Sequence, residues 1–181
     1  MPEEELLTIK EELIPYFSQE FERSLVTSKE KYDEKSRKSF SKFLRPFQIP
    51  QTIVITKTLI NKLLSNYIYV ELPEVQLLKY NADNYYHWHQ DVLPENENKR
   101  VRVVSMSINL NCDYSGGGLE VKYKNKSHYQ EKIPGAYCIF PSFCRHRALT
   151  VTEGTRNVVT FWYMGTQTNL NMLKYAYDTE I

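Results

Sequence analysis

The alternation of apolar and polar residues predicts a chain that is mainly β-sheet after an N-terminal helix. Residues 3–25 carry apolar side chains at three- and four-residue intervals, which is typical of an amphipathic helix. These residues are Leu6, Ile9, Leu13, Phe17, Phe21 and Leu25. After Pro50, the run QTIVI favours a strand and the following TKTLINKLLSN favours a short helix. From residue 75 onward the pattern changes to short runs of strand-forming residues.

Eight such runs follow one another, separated by Pro, Gly, Asn and Asp. They are VQLLKY, YYHWHQD, VRVVSMSINLNC, GLEVKYK, SHYQEKI, AYCIFP, RHRALTV and NVVTFWYM. Eight short strands predict a double-stranded β-helix, the cupin-like jelly roll. In the third run the polar residues share one face, which we expect to line a cavity. They are Ser105, Ser107, Asn109 and Asn111.

The length of the chain limits its organisation. A chain of 181 residues with 41% hydrophobic content supports one substantial core and is too short for two ordinary domains. We therefore predict a helical extension over residues 1–50 that packs on a double-stranded β-helix domain over residues 51–181. The stretch from Lys31 to Arg45 is basic with Phe40 and Phe43 interleaved, a pattern that would suit a docking surface for an acidic or nucleic-acid partner. We favour the alternative, a solvated helix or loop that the two aromatic side chains anchor.

Charge and cysteine content restrict the partners and the compartment. The formal net charge of +1 gives no global field for a polyanion, so we expect no nucleic-acid partner. The acidic start MPEEELL and the lack of an 18-residue apolar run predict no membrane partner. Cys112, Cys138 and Cys144 form no C-x-x-C pair and leave one thiol over in any disulfide scheme. We therefore expect a cytoplasmic protein.

Two distant segments supply candidate metal ligands. His89 and Asp91 lie two residues apart in one predicted strand, so their side chains project to the same side about 6.6 Å apart. His146 in a later strand is the third candidate, because the chain has only four histidines. Two imidazoles and one carboxylate on one face of an ion are the ligand set of non-haem Fe(II) oxygenases. The pattern therefore predicts oxygen chemistry.

Arg156 adds a candidate anion site. It begins the run RNVVTFWYM, in which it shares one strand face with Val158, Thr160 and Trp162. A guanidinium matches a carboxylate in a bidentate geometry and stays charged at any working pH. A buried Arg that faces a polar cavity therefore requires an anionic partner, and free 2-oxoglutarate is such a partner.

Further motifs surround these residues over about residues 75–165. They are Tyr80 and Tyr86 before His89 and Asp91, the pair Leu110-Asn111, the run Gly116-Gly117-Gly118, and the pair Phe140-Pro141 before His146 and Arg156. In these motifs and their spacing, the chain resembles the Fe(II)/2-oxoglutarate-dependent dioxygenase superfamily, specifically its prolyl 4-hydroxylase-like branch. Two departures are residues 82–84, where relatives often have glycines, and Asn109, where relatives often have tyrosine.

The resemblance implies roles for particular residues. His89, Asp91 and His146 would bind Fe(II), and Arg156 would pair with the distal carboxylate of 2-oxoglutarate. Three further residues would assist in binding this cosubstrate: Tyr80, Asn109 and Thr160. O2 would be the second cosubstrate. The implied activity is hydroxylation of an unactivated C–H bond, with a peptidyl proline as the favoured substrate.

The resemblance also restricts the reaction within the superfamily. Nucleobase-repair relatives usually carry a second arginine where this chain has Trp162, and halogenating relatives lack the carboxylate that Asp91 provides. Other hypotheses remain open at this stage. These are hydroxylation of a lysyl residue or a free amino acid, a cupin-like metal-binding module without turnover, and an assembly protein whose N-terminal helix and basic segment carry the function. The sequence does not indicate an oligomeric state.

Overall fold

The computed structural model describes residues 1–26, 33–64, 71–94 and 98–179. In this part of the chain the helices are α1 (Glu3–Phe17), α2 (Pro50–Leu64) and α3 (Gln167–Thr179), and a short 3-10 turn covers Pro46–Gln48. The strands are β1 (Glu22–Arg23), β2 (Arg37–Lys38), β3 (Phe40–Leu44), β4 (Pro73–Asn81), β5 (Tyr85–His89), β6 (Val101–Asn109), β7 (Tyr114–Gly116), β8 (Leu119–Tyr123), β9 (Lys126–Tyr129), β10 (Tyr137–Pro141), β11 (His146–Ala148) and β12 (Val151–Gly165).

The strands form two antiparallel sheets. The larger sheet has the order β1-β3-β4-β12-β6-β10, with β7 paired to the start of β12. The smaller sheet has the order β2-β5-β11-β8-β9. Strands that are neighbours in a sheet are mostly distant in sequence, because the chain crosses repeatedly between the two sheets. This is the predicted double-stranded β-helix, and the fold class is confirmed.

The main hydrophobic core lies between the larger sheet and the three helices. Its helical members are Ile9, Leu13, Ile53, Ile60, Leu170 and Leu173. Strand β6 is buried along its whole length, and Met106 and Ile108 belong to this core. Full burial of an aliphatic side chain contributes about 1.5–3 kcal/mol. One face of the larger sheet is therefore covered by helices, and the opposite face is left for a cavity.

The segment after Pro50 is helical throughout, so the predicted strand over QTIVI is wrong. The residues that α2 buries share one face: Thr52, Ile53, Thr56 and Ile60. The carboxylate of Glu12 in α1 accepts the backbone N–H groups of Gln51 (3.0 Å) and Thr52 (2.7 Å). These are N–H groups that a helix start leaves without intrahelical partners. The contact between α1 and α2 thus overrides the strand preference of the β-branched residues in QTIVI.

The N-terminal region contains strands as well as a helix. The predicted helix over residues 3–25 ends at Phe17, and residues 22–44 contribute β1, β2 and β3. β2 pairs with β5 of the smaller sheet, while β3 pairs with β4 of the larger sheet. Seven residues of the basic segment, 37–38 and 40–44, thus lie in the sheets, and residues 31 and 32 lie outside the described residues. A division of the chain at residue 50 stays a prediction.

All eight predicted strands are present, and after residue 50 the described residues contain two further elements that follow from no strong sequence pattern. These are the short strand β7 and the C-terminal helix α3. Gly116 ends β7 with a φ of +67°, and a Cβ at this position would lie 2.6 Å from the carbonyl oxygen of Thr150. Glycine is therefore required there. Among the described residues, no helix combines the length and apolar character needed to cross a bilayer.

Candidate metal centre

The three predicted metal ligands meet at one end of the smaller sheet. His146 on β11 pairs with His89 on β5, and Asp91 follows two residues after His89. One ligand atom from each residue lies within 4.8 Å of the others. The Oδ1 and Oδ2 atoms of Asp91 are 3.7 Å from His89 Nε2 and 3.3 Å from His146 Nε2, respectively. The structure therefore brings His89, Asp91 and His146 together as a set that could hold one ion.

Hydrogen bonds orient each of the three side chains. His89 Nδ1–H donates to the carbonyl oxygen of His87 (2.7 Å), and His146 Nδ1–H donates to that of Cys144 (3.0 Å). In their neutral forms both imidazoles therefore keep the Nε2 lone pair for a metal, as is usual for metal-ligating histidines. Ser105 Oγ donates to Asp91 Oδ2 (2.7 Å). The donor set and its outer hydrogen bonds fit Fe(II).

The charges in this cluster are strongly coupled. Burial, together with the nearby charge of His146, lowers the pKa of His89 to about 3. Burial alone would raise the pKa of Asp91, but the attraction of His146 and His89 and the hydrogen bonds hold it well below its usual range. Burial likewise opposes a charge on His146, yet the Asp91 carboxylate raises the pKa of this histidine. A divalent cation would displace the His146 proton from this ion pair.

The cluster opens into a cavity of about 430 Å³ between the two sheets. Its wall on the larger sheet includes Gln76, Leu78, Tyr80, Ser107, Val158, Thr160 and Trp162. Its wall on the smaller sheet includes Tyr86, Leu119 and Ala148. The predicted polar face of β6 contributes Ser107 to the lining and Ser105 to the support of Asp91. The cavity is therefore large enough for a small cosubstrate beside the metal ligands.

Arg156 lies in this cavity and is buried. Its NH2 group donates to Gln130 Oε1 at 3.2 Å, and its guanidinium carbon lies 5.7 Å from the centre of the Tyr80 ring. Burial lowers the pKa of Arg156, an effect opposed by Tyr80 and Tyr114. Nε of Arg156 is buried without a hydrogen-bond acceptor among the described residues. A carboxylate would provide that acceptor, so the site fits the distal end of 2-oxoglutarate.

The three assisting residues occupy different places. Tyr80 and Thr160 line the cavity that contains Arg156. Asn109 is held by other contacts, since its Nδ2 donates to the carbonyl oxygens of Asn111 (2.6 Å) and Ile133 (3.3 Å). Its Oδ1 accepts from the hydroxyl of Tyr114 (3.1 Å). The structure thus brings Tyr80 and Thr160 to the cavity wall, and a role of Asn109 in cosubstrate binding stays a prediction.

Two arginines of the cavity were not identified from the sequence. Arg102 Nε donates to Glu74 Oε2 at 2.8 Å, and its guanidinium carbon lies 3.9 Å from the centre of the Trp162 ring. Its position as a charged residue within the apolar strand β6 could have identified Arg102 from the sequence. Arg37 reaches the cavity from β2. Its segment appeared as a solvated basic stretch, so no sequence signal placed it in the interior.

The sequence matches a known family over the region that forms this site. Residues 75–164 match the model of the 2OG-Fe(II) oxygenase superfamily. A stretch of 79 residues is 32% identical to a PKHD-type hydroxylase of Acaryochloris marina. That match covers 42% of this chain and 36% of the relative, so it spans about a third of the relative's length.

Solved structures share the fold over most of the chain. A prolyl-4-hydroxylase of Pseudomonas putida superposes with a TM-score of 0.69 at 20% identity, covering 90% of this chain and 87% of that protein. A prolyl hydroxylase from Trichoplax adhaerens, in complex with a hypoxia inducible factor peptide fragment, gives 0.69 at 16% identity over 95% and 83% of the two chains. The 2OG complex of a collagen prolyl hydroxylase from Paramecium Bursaria Chlorella virus-1 gives 0.55 at 18% identity over 72% and 81%. At these identities the likeness is one of fold.

Proposed function

Because the chain belongs to the 2OG-Fe(II) oxygenase superfamily, we propose that it is an Fe(II)- and 2-oxoglutarate-dependent dioxygenase that hydroxylates an unactivated C–H bond. One observation carries this proposal. The cluster of His89, Asp91 and His146 opens into the same cavity as Arg156, whose Nε has no acceptor among the described residues. The cavity thus combines a metal site with a buried guanidinium that can accommodate a carboxylate. A keto acid that chelates the metal at one end and carries a carboxylate at the other would occupy both.

The residues of this chain would perform binding and positioning. The two imidazole Nε2 atoms and the Asp91 carboxylate would hold the metal, and Arg156 would fix the distal carboxylate of 2-oxoglutarate. When bound, iron would activate O2 as the oxidant and 2-oxoglutarate would supply two electrons, so that one oxygen atom would enter the substrate C–H bond and the other would enter succinate as CO2 is released. The apolar walls from Leu78 and Val158 would exclude water from the reacting atoms.

The favoured substrate is a peptidyl proline. Prolyl hydroxylases are among the proteins that share this fold, and one of them was solved with a bound peptide fragment. In this chain the flat rings of Tyr86 and Trp162 line the cavity, and such surfaces suit a pyrrolidine ring.

We also propose that the enzyme works in a reducing cytoplasm, since its three cysteines are free thiols.

An anaerobic titration of the apo protein with Fe(II) and 2-oxoglutarate tests the cofactor site. We expect a visible charge-transfer band from the metal chelate in the wild type, and its loss in His146→Ala. Circular dichroism would confirm that the variant is folded. A folded wild type that binds metal but shows no band would contradict the proposal and favour a metal-binding module without turnover.

A screen of proline-containing peptides would then test the substrate. We expect succinate formation coupled to a mass increase of one oxygen atom on proline. Lysine-containing peptides and free amino acids serve as the comparison, because the same chemistry can act on their C–H bonds. If only lysine-containing peptides or only free amino acids were oxidised, that class would be the substrate in place of peptidyl proline, and the dioxygenase assignment would stand.

A further inference from the structure

Arg37 is a second buried guanidinium in the metal cavity. It lies on β2, is 4% exposed and lines the same space as the three metal ligands. Its guanidinium carbon is 4.6 Å from the centre of the Tyr86 ring, and that ring stacks on His89 with 3.5 Å between centroids. A single aromatic side chain thus connects Arg37 to a metal ligand, so any group bound by Arg37 lies close to the reacting centre.

The described hydrogen-bond partners of Arg37 are all neutral. Nε donates to Ser39 Oγ (2.9 Å), NH1 donates to the carbonyl oxygen of Leu25 (3.0 Å) and NH2 donates to Gln76 Oε1 (3.3 Å). An arginine has five N–H donors, so these contacts leave some of them for another acceptor. Among the described residues, no carboxylate forms an ion pair with Arg37. Arg102, which also lines the cavity, pairs by contrast with the carboxylate of Glu74.

The charge balance of the loaded cavity makes this arrangement unusual. Fe(II) and Arg156 would bring three positive charges, and Asp91 and the two carboxylates of 2-oxoglutarate would bring three negative ones. The pair of Arg102 and Glu74 is also neutral. Arg37 would then be the remaining unbalanced charge among the described lining residues. Buried charges are normally paired, because an uncompensated one is costly in a low-dielectric interior.

We propose that Arg37 binds a carboxylate of the substrate, so that the substrate is acidic next to the carbon that is hydroxylated. This inference rests on the proposed function and narrows its substrate class. The carboxylate has two sources that Arg37 would recognise alike. One is an Asp or Glu side chain beside the reacting residue of a peptide, and the other is the α-carboxylate of a free amino acid.

The test compares matched acids and amides on wild-type protein loaded with Mn(II) and 2-oxoglutarate. The peptide probes are acetyl-Pro-Asp-amide against acetyl-Pro-Asn-amide, and acetyl-Asp-Pro-amide against acetyl-Asn-Pro-amide. The free amino acid probe is L-proline against L-prolinamide. Broadening of the probe's NMR signals by Mn(II) reports binding near the metal without turnover. We expect the acid of at least one pair to bind about tenfold or more tightly than its amide, and the pair identifies the source.

Substitutions at Arg37 test whether this residue causes the preference for acids over amides. Arg37→Gln should remove the acid preference while the affinity for the amide changes little, and Arg37→Lys should retain part of the preference because it keeps the charge. Arg102→Gln is the matched control, since this arginine is already paired, and it should keep the preference. If Arg37→Gln does not fold, the wild-type comparison of acid with amide still decides whether an acidic substrate is favoured.

The anaerobic titration with Fe(II) and 2-oxoglutarate, carried out on the same protein, distinguishes failure of the role of Arg37 from failure of the proposed function. A wild type that shows the visible band but does not distinguish acids from amides would overturn the role of Arg37 and leave the dioxygenase assignment standing. An acid preference that persists undiminished in folded Arg37→Gln would do the same. Absence of the band would overturn the proposed function, together with the charge balance on which the role of Arg37 depends.

Discussion

His146 lies directly opposite His89 in the antiparallel pair of β5 and β11, and the centroids of their rings are 4.1 Å apart. Residues that face each other across a ladder project to the same side of the sheet. One cross-strand pair therefore fixes both imidazole ligands. Asp91 lies beyond the end of β5, where the ladder no longer determines its position. Its backbone N–H donates to the carbonyl oxygen of Ser142 at 2.9 Å, and its side chain depends on Ser105.

Ser105→Ala should weaken metal binding without removing a ligand. The substitution deletes the hydroxyl that donates to Asp91 Oδ2 and also contacts Ser142 Oγ at 3.0 Å. Loss of such an outer hydrogen bond typically lowers metal affinity about 10- to 100-fold. Competition between the protein and a chromophoric chelator for Fe(II) or Co(II) measures the change.

Ser107→Ala is the matched control for this prediction. Ser107 lies two residues along the same strand, on the same face, and lines the cavity. Gln130 Nε2 donates to the backbone carbonyl oxygen of Ser107 at 3.0 Å, a contact that the substitution retains. We expect metal affinity close to that of the wild type. Equal losses in both variants would show that a change anywhere on this strand face perturbs the site, and would contradict a specific role of Ser105.

Arg156→Ala should weaken 2-oxoglutarate binding far more than Fe(II) binding. The side chain lies in the cavity but is not a metal ligand, and its removal deletes a charge-assisted pair. Hydrogen bonds to charged groups contribute about 1.5–3 kcal/mol, which corresponds to a loss of about 10- to 100-fold in affinity. Separate titrations with metal and with cosubstrate in the presence of saturating metal measure the two affinities.

Arg102→Ala distinguishes this specific effect from a general loss of positive charge. Arg102 lines the same cavity, yet its guanidinium is paired with Glu74 and stacked on Trp162. We expect 2-oxoglutarate affinity to change by less than about threefold, the size of a modest screened electrostatic effect. A comparable loss in both variants, or an equal loss of metal and cosubstrate binding in folded Arg156→Ala, would be inconsistent with the assigned role.

The metal ligands could be predicted because their signals are local or rare. The two-residue spacing of His89 and Asp91 predicts that both side chains point to one side, and the structure brings them together although Asp91 lies just beyond the end of β5. The four histidines in the chain leave few choices for the third ligand. Arg156 and Thr160 follow from the same alternation in β12, which runs without interruption from Arg156 to Tyr163 against β4. In a regular strand, the residues that face the site can therefore be predicted from the alternation along the sequence.

Arg37 and α2 show where sequence reasoning fails. Arg37 enters the cavity because the short strand β2 pairs with β5, a contact between residues that are almost 50 positions apart and share no local pattern. In α2 the β-branched residues of QTIVI indicated a strand: Thr52, Ile53, Val54 and Ile55. The Glu12 carboxylate at the start of α2 and the burial of one helical face determine the helix instead. Both outcomes depend on tertiary contacts.

Alkylation should distinguish the three thiols. Cys112 is exposed, whereas burial raises the pKa of Cys138 to about 11 and that of Cys144 to about 12. Because the thiolate is the reactive form, a pKa of 11 leaves about one thiolate in a thousand at pH 8. We expect iodoacetamide at pH 8 to add one group rapidly to native protein, as seen by intact mass, and three groups after unfolding.

Cys112→Ser provides the control for the alkylation experiment. The native variant should show no rapid adduct, and reaction at the other two thiols should speed up as the pH rises toward their raised pKa values. Two or three rapid additions to native wild type at pH 8 would mean that the cluster of Cys144 with Phe140 and Leu119 is not packed as described.

Leu13→Ala and Ile14→Ala test whether α1 is docked on the sheet. Leu13 is 1% exposed and belongs to the main core, while Ile14 beside it in the same helix is 63% exposed. Truncating a buried leucine costs about 2–5 kcal/mol, whereas a surface change stays within about 0.5 kcal/mol. Urea unfolding should therefore show a large loss of stability for Leu13→Ala alone. The described lining of the metal cavity contains no residue of α1, so the folded fraction of each variant should still bind metal. Similar stability for both variants would contradict the docking of α1.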